Sequence, residues 1–247
     1  VCYMDKVWWQ KEVVYQIYPK SFCDSNGDGI GDIQGIIRKL DYLRELGVTM
    51  LWICPIFQSP MDDNGYDVSD YQAIAPQFGS IDDVDELIEQ AGHRGIKIVL
   101  DLVINHSSDE HEWFREALAN PESPFRDDYI FKPAQNGQLP TNWRSVFGGS
   151  VWEVVPGREE YYYHTFGKKQ PDLNWENPAL RQKLYDMVNW WLDKGIAGFR
   201  IDAITFIKKD QTWKDCPADG ADGLAKCTKA ARNQPGIGTF LHELKEH

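Results

Sequence analysis

The chain has 247 residues, 42% of them apolar and 26% charged, with a formal net charge of −12. This is the make-up of an ordinary globular protein, long enough to bury a substantial core in one large domain. The acidic balance excludes a phosphate-backbone binder, which needs clustered Lys and Arg, and no run approaches the roughly 20 apolar residues that span a bilayer.

Met4 reads as the natural initiator, with Val1 to Tyr3 as an uninformative extension. No basic region followed by an apolar one marks a secretion signal. Cysteines at 2, 23, 54, 216 and 227 form neither a CxxC pair nor an even disulfide framework, which fits a reducing cytoplasm. The first predicted strand is "VVYQIY", 13 to 18, ending at Pro19.

The loop "DSNGDGIGD", Asp24 to Asp32, follows. Asp24, Asn26 and Asp28 alternate as in the first part of an EF-hand loop, yet the twelfth position is Gly35, which has no carboxylate to complete one. Two readings stay open. In one, Asp24, Asn26, Asp28, the Ile30 carbonyl and Asp32 hold a hard cation. In the other, the loop is a polar turn and Asp32 caps the next helix.

That helix should carry Ile33, Ile36, Ile37, Leu40 and Leu43 on one face and stop at Gly47. "VTMLWI", 48 to 53, is the second strand. Ser80 and Asp83 make a capping-box-like start for a helix through Arg94, closed by Gly95. "IKIVLDLVI", 96 to 104, is apolar enough for a strand covered on both faces. The alternation predicts a parallel sheet with right-handed crossovers. Residues 107 to 176, rich in Pro, Gly, Asn and aromatics, are too long for a simple loop and read as an inserted subdomain, with "EYYYHTF" as a possible strand. Asn177 and Pro178 then start a helix through Lys194, Gly195 ends it, and "AGFRIDA" is the fourth strand.

Ten tryptophans, several in polar stretches such as "TNWRSVFGGSVW", would suit a ligand with both apolar and polar faces, although composition alone favours core packing. In a β/α barrel, chemistry gathers at the C-terminal ends of strands. Three clusters fall there: "DDNGYD", "DLVINH" and "GFRIDA". Arg200 and Asp202, two apart, leave the same face of a strand. A guanidinium beside Asp202 would keep it ionised, as a carboxylate nucleophile requires. A structural ion pair at the rim would look the same.

"DLVINH", "QPDLNWENP" and "GFRIDA", in this order and with a subdomain between the first two, resemble the signature regions of the α-amylase superfamily of glycoside hydrolases. The likeness is closest to its oligo-1,6-glucosidase and α-glucosidase branch. The resemblance implies the N-terminal half of a (β/α)8 TIM barrel: 1–106 the first part of the catalytic barrel, 107–176 the inserted subdomain, 177–247 the barrel continued. It also implies a retaining α-glucosidase acting on short oligosaccharides, monomeric and cytoplasmic, with no organic cofactor.

By the same resemblance, Asp202 matches the nucleophile and Arg200 the arginine that orients it. Asp63 and Tyr66 match residues that bond to and stack on the nonreducing glucose, and His106 a histidine bonded to the same sugar. Phe147 and Phe166 match pocket-shaping aromatics. Asp24, Asn26, Asp28, Ile30 and Asp32 match a structural Ca2+ site. Asp101 is expected to orient strand-end groups, and His93, His111, His164, His242 and His247 to be ordinary surface or packing residues.

A retaining glycosidase needs a second carboxylate about 5 to 5.5 Å from the first. In the family this is a glutamate ending strand five, and Glu243 and Glu246 fall in the helical region before it. The expectation is an incomplete, nearly inactive, aggregation-prone piece of a longer enzyme, with strands one and four as open edges. Ala203, after the nucleophile, leans towards α-1,4 over α-1,6 links, with sucrose and trehalose 6-phosphate as alternatives. A non-catalytic relative of the transporter-subunit type is the competing reading.

Overall fold

The computed structural model describes residues 7–247; Cys2, Met4 and the Val1 to Tyr3 extension lie outside the described residues. In chain order, β1 (Val14–Ile17), α1 (Pro19–Phe22), α2 (Ile33–Arg38), α3 (Leu40–Glu45) and β2 (Met50–Ile53) come first. Then follow β3 (Phe57–Gln58), β4 (Asp70–Ile74), α4 (Ile81–His93) and β5 (Lys97–Val103). The long segment after β5 carries α5 (Glu112–Ala119), β6 (Phe131–Pro133), β7 (Trp143–Arg144), β8 (Trp152–Val154) and β9 (Glu160–Tyr163). After it come α6 (Pro178–Asp193), β10 (Gly198–Asp202), β11 (Ala225–Lys226), α7 (Thr228–Ala231) and α8 (Ile237–Glu246).

The described residues form two compact units, one of residues 7–58, 71–102 and 190–200, the other of 59–70, 103–189 and 201–247. In the first, the sheet order is β1-β2-β5-β10, and the β1–β2 and β2–β5 pairs are parallel, with Val14 beside Met50 and Leu51 beside Ile98. Parallel strands in sequence order, with helices between them and a long insertion after the third, make this the N-terminal half of a (β/α)8 barrel. The inner strands are buried, whereas Val14 on β1 is 54% exposed and β10 is half-buried throughout.

The single helix expected from Ile33 towards Gly47 is two helices. The Lys39 N–H is shared between the carbonyls of Ile36 and Ile37 and its backbone leaves helical values (φ −99°, ψ 1°), so the helix breaks without Gly or Pro. The apolar stripe survives the break: Ile33, Ile36, Leu40 and Leu43 are all fully buried. Gln34 donates to Asp83 and Glu86, both at 2.7 Å, tying α2 to α4. The Ser80–Asp83 capping box forms as expected. Trp191 is buried against Phe57 and donates its indole N–H to the Tyr71 carbonyl at 2.8 Å.

In the second unit β6, β9 and β8 form an antiparallel sheet in that order. Its core gathers Ile130, Trp143, Val151, Trp152, Tyr163, Cys227, Ala230 and Ala231. Trp143 and Trp152, which stood out as ring faces for a ligand, are therefore core residues, and their indole N–H groups are satisfied by the Lys214 carbonyl and Thr141 Oγ1. Asn177 caps α6 through the Ala179 N–H at 3.0 Å.

Candidate active site

Two of the signature stretches are physically zipped together in the second unit. The Leu173 N–H donates to the Asn105 carbonyl at 2.9 Å, Ser107 N–H to the Pro171 carbonyl at 3.2 Å, and the Trp175 indole to the Ile104 carbonyl at 2.8 Å. "QPDLN" is thus held against "INH" as a short antiparallel bridge, His106 facing Asp172.

Around that bridge gather the expected residues Asp63, Tyr66, His106 and Phe166, with Phe147 against Phe166, and the first three are linked through a residue the sequence reading missed. Gln170, 1% exposed, donates its amide to Asp63 Oδ2 at 2.9 Å and lies 3.3 Å from the Tyr66 carbonyl. The Tyr66 carbonyl also faces His106 Nε2 at 2.9 Å. The loop carrying Asp63 and Tyr66 is pinned by buried Asp67, whose carboxylate accepts from Ser59 Oγ and the N–H groups of Asp62 and Asp63. Its left-handed residues Met61, Asn64 and Gly65 make the tight reversal possible. The Phe166 ring lies 5.3 Å from His106 and 5.6 Å from Phe147, which is itself 62% exposed.

Beneath His106 lies a buried ionic cluster. Lys209, 2% exposed, meets the Asp172 carboxylate at 2.7 Å. Asp172 also accepts from Thr165 N–H at 2.7 Å, Thr165 Oγ1 at 2.6 Å and Asn105 Nδ2 at 3.2 Å. Burial pushes the His106 pKa below its ordinary value; the Asp172 and Asp202 carboxylates oppose this and the Lys209 ammonium reinforces it. Asp202 is therefore near enough to His106 to be felt electrostatically. Directly after Asp202 the backbone turns left-handed at Ala203 (φ 50°, ψ 28°) into a 3-10 turn over Ile204–Phe206.

In the first unit, Asp101 is fully buried and accepts from Arg200 Nη1 at 3.0 Å and the Trp52 indole at 3.0 Å. The Arg200 guanidinium lies 5.0 Å from the Trp52 ring. Asp101 holds strand-end groups in place, as its position suggested.

Also in the first unit, the loop of residues 24–32 is a ladder of side-chain turns. Asp24 Oδ1 accepts from the N–H of Asn26 and Gly27, Asp24 Oδ2 from Gly29, Asn26 Oδ1 from Asp28, and Asp28 Oδ1 from Ile30. Asp32 is the helix cap: Oδ1 accepts from the Gly35 N–H at 2.7 Å, and Oδ2 from Ser25 N–H and Oγ. Gly35 lies against the chain here, since a Cβ on it would come 1.8 Å from the Cys23 carbonyl oxygen. Among the described residues no three His, Cys, Asp or Glu side chains come together as a metal-holding group. A cation here would depend on Asp24, Asp28, the Asn26 amide oxygen and backbone carbonyls, a donor set that suits Ca2+.

The remaining titratable candidates have local jobs. His111 caps α5 by accepting from the Trp113 N–H at 3.1 Å, and buried His164 faces the Phe166 carbonyl through Nδ1 at 2.8 Å. Glu243 pairs with Arg181 at 2.7 Å. Cys23, Cys54, Cys216 and Cys227 are free thiols. Among the described residues no helix is long and apolar enough to cross a membrane.

The chain belongs to the α-amylase family: the family's catalytic-domain model matches residues 16–247. Within that family it is 52% identical over 241 residues to the oligo-1,6-glucosidase of Parageobacillus thermoglucosidasius, covering 98% of this chain and 43% of that protein. It is 51% identical over 240 residues to the trehalose-6-phosphate hydrolase of Bacillus subtilis, covering 97% of this chain and 42% of that enzyme. The crystal structure of the Bacillus licheniformis trehalose-6-phosphate hydrolase superimposes with a TM-score of 0.92 at 50% identity, over 98% of this chain and 42% of that one. The chain thus spans less than half the length of the relatives it matches.

Proposed function

We propose that the protein is a retaining α-glucosidase that removes terminal α-linked glucose from short oligosaccharides, with Asp202 as nucleophile. The observation that carries this reading is the grouping of Asp63, Tyr66, His106, Phe147 and Phe166 around one buried bridge, with the Asp202 carboxylate acting on His106. Asp63 and the His106 ring supply hydrogen-bonding groups for sugar hydroxyls, and Phe166 and Phe147 offer ring faces to C–H surfaces. Asp202 would attack the anomeric carbon to form a glycosyl-enzyme while a second carboxylate protonates the leaving oxygen, and water would then release glucose with retention. Arg200, on the same strand and anchored on Asp101, is assigned the orienting role.

The test is hydrolysis of p-nitrophenyl α-glucoside, by the chain alone and by a version extended to the length of its relatives, each with Asp202→Asn as control. Activity in either that disappears on substitution supports the reading; activity that survives Asp202→Asn overturns it. Comparison of isomaltose, maltose, sucrose and trehalose 6-phosphate separates the linkage readings. The relatives named as 1,6-glucosidases favour isomaltose, whereas Ala203 favours maltose.

A structural Ca2+ on Asp24, Asn26, Asp28 and the Ile30 carbonyl, with Asp32 completing the loop, belongs to the same proposal. It is checked by calorimetric titration of the metal-free chain, in which Asp24→Ala should abolish binding. A cytoplasmic location belongs to the same reading, on the five cysteines that form no even disulfide framework.

A further inference from the structure

We propose that the buried Lys209–Asp172 pair, acting through Asn105, fixes the His106 ring as the neutral tautomer protonated on Nε2. Lys209 and Asp172 are thereby positioning residues for His106. For its functional meaning the inference rests on the sugar-binding role proposed for His106.

The argument starts from the two charges, whose hydrogen-bonding roles admit no choice. Lys209 Nζ can only donate, and it faces Asn105 Oδ1 at 3.3 Å. The Asp172 carboxylate, made acceptor-only by its contact with Lys209, faces Asn105 Nδ2 at 3.2 Å. A flipped Asn105 amide would set its oxygen against a carboxylate and its NH2 against an ammonium, so the pair locks one orientation. In that orientation Nδ2 presents its other proton to His106 Nδ1 at 3.1 Å, and Nδ1 must accept.

At the opposite edge of the ring, Nε2 faces the Tyr66 carbonyl at 2.9 Å, which can only accept, and the Gln170 amide nitrogen at a longer 3.4 Å; that amide already donates to Asp63 at 2.9 Å, so the shorter contact assigns the proton to Nε2. The two edges agree on one tautomer. A second proton on Nδ1 would meet the Asn105 N–H head-on. The charged groups that act on the ring are Asp172 and Asp202, which favour protonation, and Lys209, which opposes it; burial is the largest influence and acts against a second proton. The consequence is that the edge His106 shares with Tyr66, Gln170 and Asp63 carries no ring acceptor, and a hydroxyl arriving there would share the Nε2 proton with the Tyr66 carbonyl.

The test is ring 15N NMR of the histidine-labelled chain near neutral pH without sugar, with the His106 signals assigned by their loss in His106→Gln. The wild-type ring should show a protonated Nε2 and a bare Nδ1. Asn105→Asp puts an acceptor against Nδ1 while the Tyr66 carbonyl still faces Nε2, and should therefore place a proton on Nδ1 as well. Lys209→Met should release the amide and replace the single pattern by an averaged one.

A wild-type ring protonated on Nδ1, or on both nitrogens, overturns the proposal. So does an unchanged ring in both variants when their methyl fingerprints remain native. Should Lys209→Met fail to fold, the wild-type and Asn105→Asp spectra decide alone. Because no substrate is present, failure here is separate from failure of the glucosidase reading, which the Asp202→Asn assay measures.

Discussion

His111 ties the stability of the second unit to pH. The residue is 6% exposed, caps α5 by accepting from the Trp113 N–H, and its ring centroid lies 4.4 Å from that of Trp113. Burial, assisted by Lys183 and opposed by Asp70, pushes its pKa from 6.5 down to about 4. Between these values the unfolded chain binds the proton and the folded chain does not. The stabilisation is therefore complete above about pH 6.5 and fades as the pH falls to about 4. At 1.36 kcal/mol per pH unit, the full effect is about 3 kcal/mol. His111→Asn keeps a capping oxygen and removes the titration. Urea unfolding of both proteins from about pH 7 to pH 4 should show the wild type losing about 3 kcal/mol more than the variant, roughly 1.5 M in midpoint for a slope near 2 kcal/mol per M. Parallel curves for the two proteins would refute the reasoning.

Lys209→Met leaves the Asp172 carboxylate buried without its cation and should cost about 3–5 kcal/mol in urea unfolding; restoring neutrality with Asp172→Asn in the same chain should recover part of it. Gly35→Ala drives a methyl into the Cys23 carbonyl and should lower stability by at least about 2 kcal/mol. Gly92→Ala, in α4 with nothing within 4 Å of the added methyl, should raise stability by about 0.5–1 kcal/mol in the same thermal or urea assay.

The barrel strands and most helix ends were legible because their signals are local. Ser80, Asp83 and Gly95 bracket α4, Asn177 and Gly195 bracket α6, and the apolar run around Leu100 has one reading as a covered strand. The break at Lys39 was not legible, because no residue type announces a shared N–H. Helix α5 escaped notice although "EWFREALA" buries Phe114 and Ala117 on one face; the surrounding Pro and Gly content masked it. In the candidate site, the stretches that bring Asp63, Tyr66 and His106 together were legible, and the residues that hold them there were not. "IKKD" presents two adjacent lysines; only tertiary packing makes Lys209 the buried partner of Asp172 while Lys208 reaches Glu176 nearer the surface. Gln170 and Asn105 are neutral amides whose importance comes entirely from what the fold brings beside them.

The left-handed backbone at Ala203 limits what inheritance can try at that position. An L-residue there costs about 1–2 kcal/mol relative to a right-handed turn, and more with a β-branched side chain. Glycine would relieve the strain and loosen the turn that follows Asp202. Any exchange at 203 therefore also changes main-chain energy directly beside Asp202, so a substitution there would need a companion change elsewhere in the turn to leave stability unaltered.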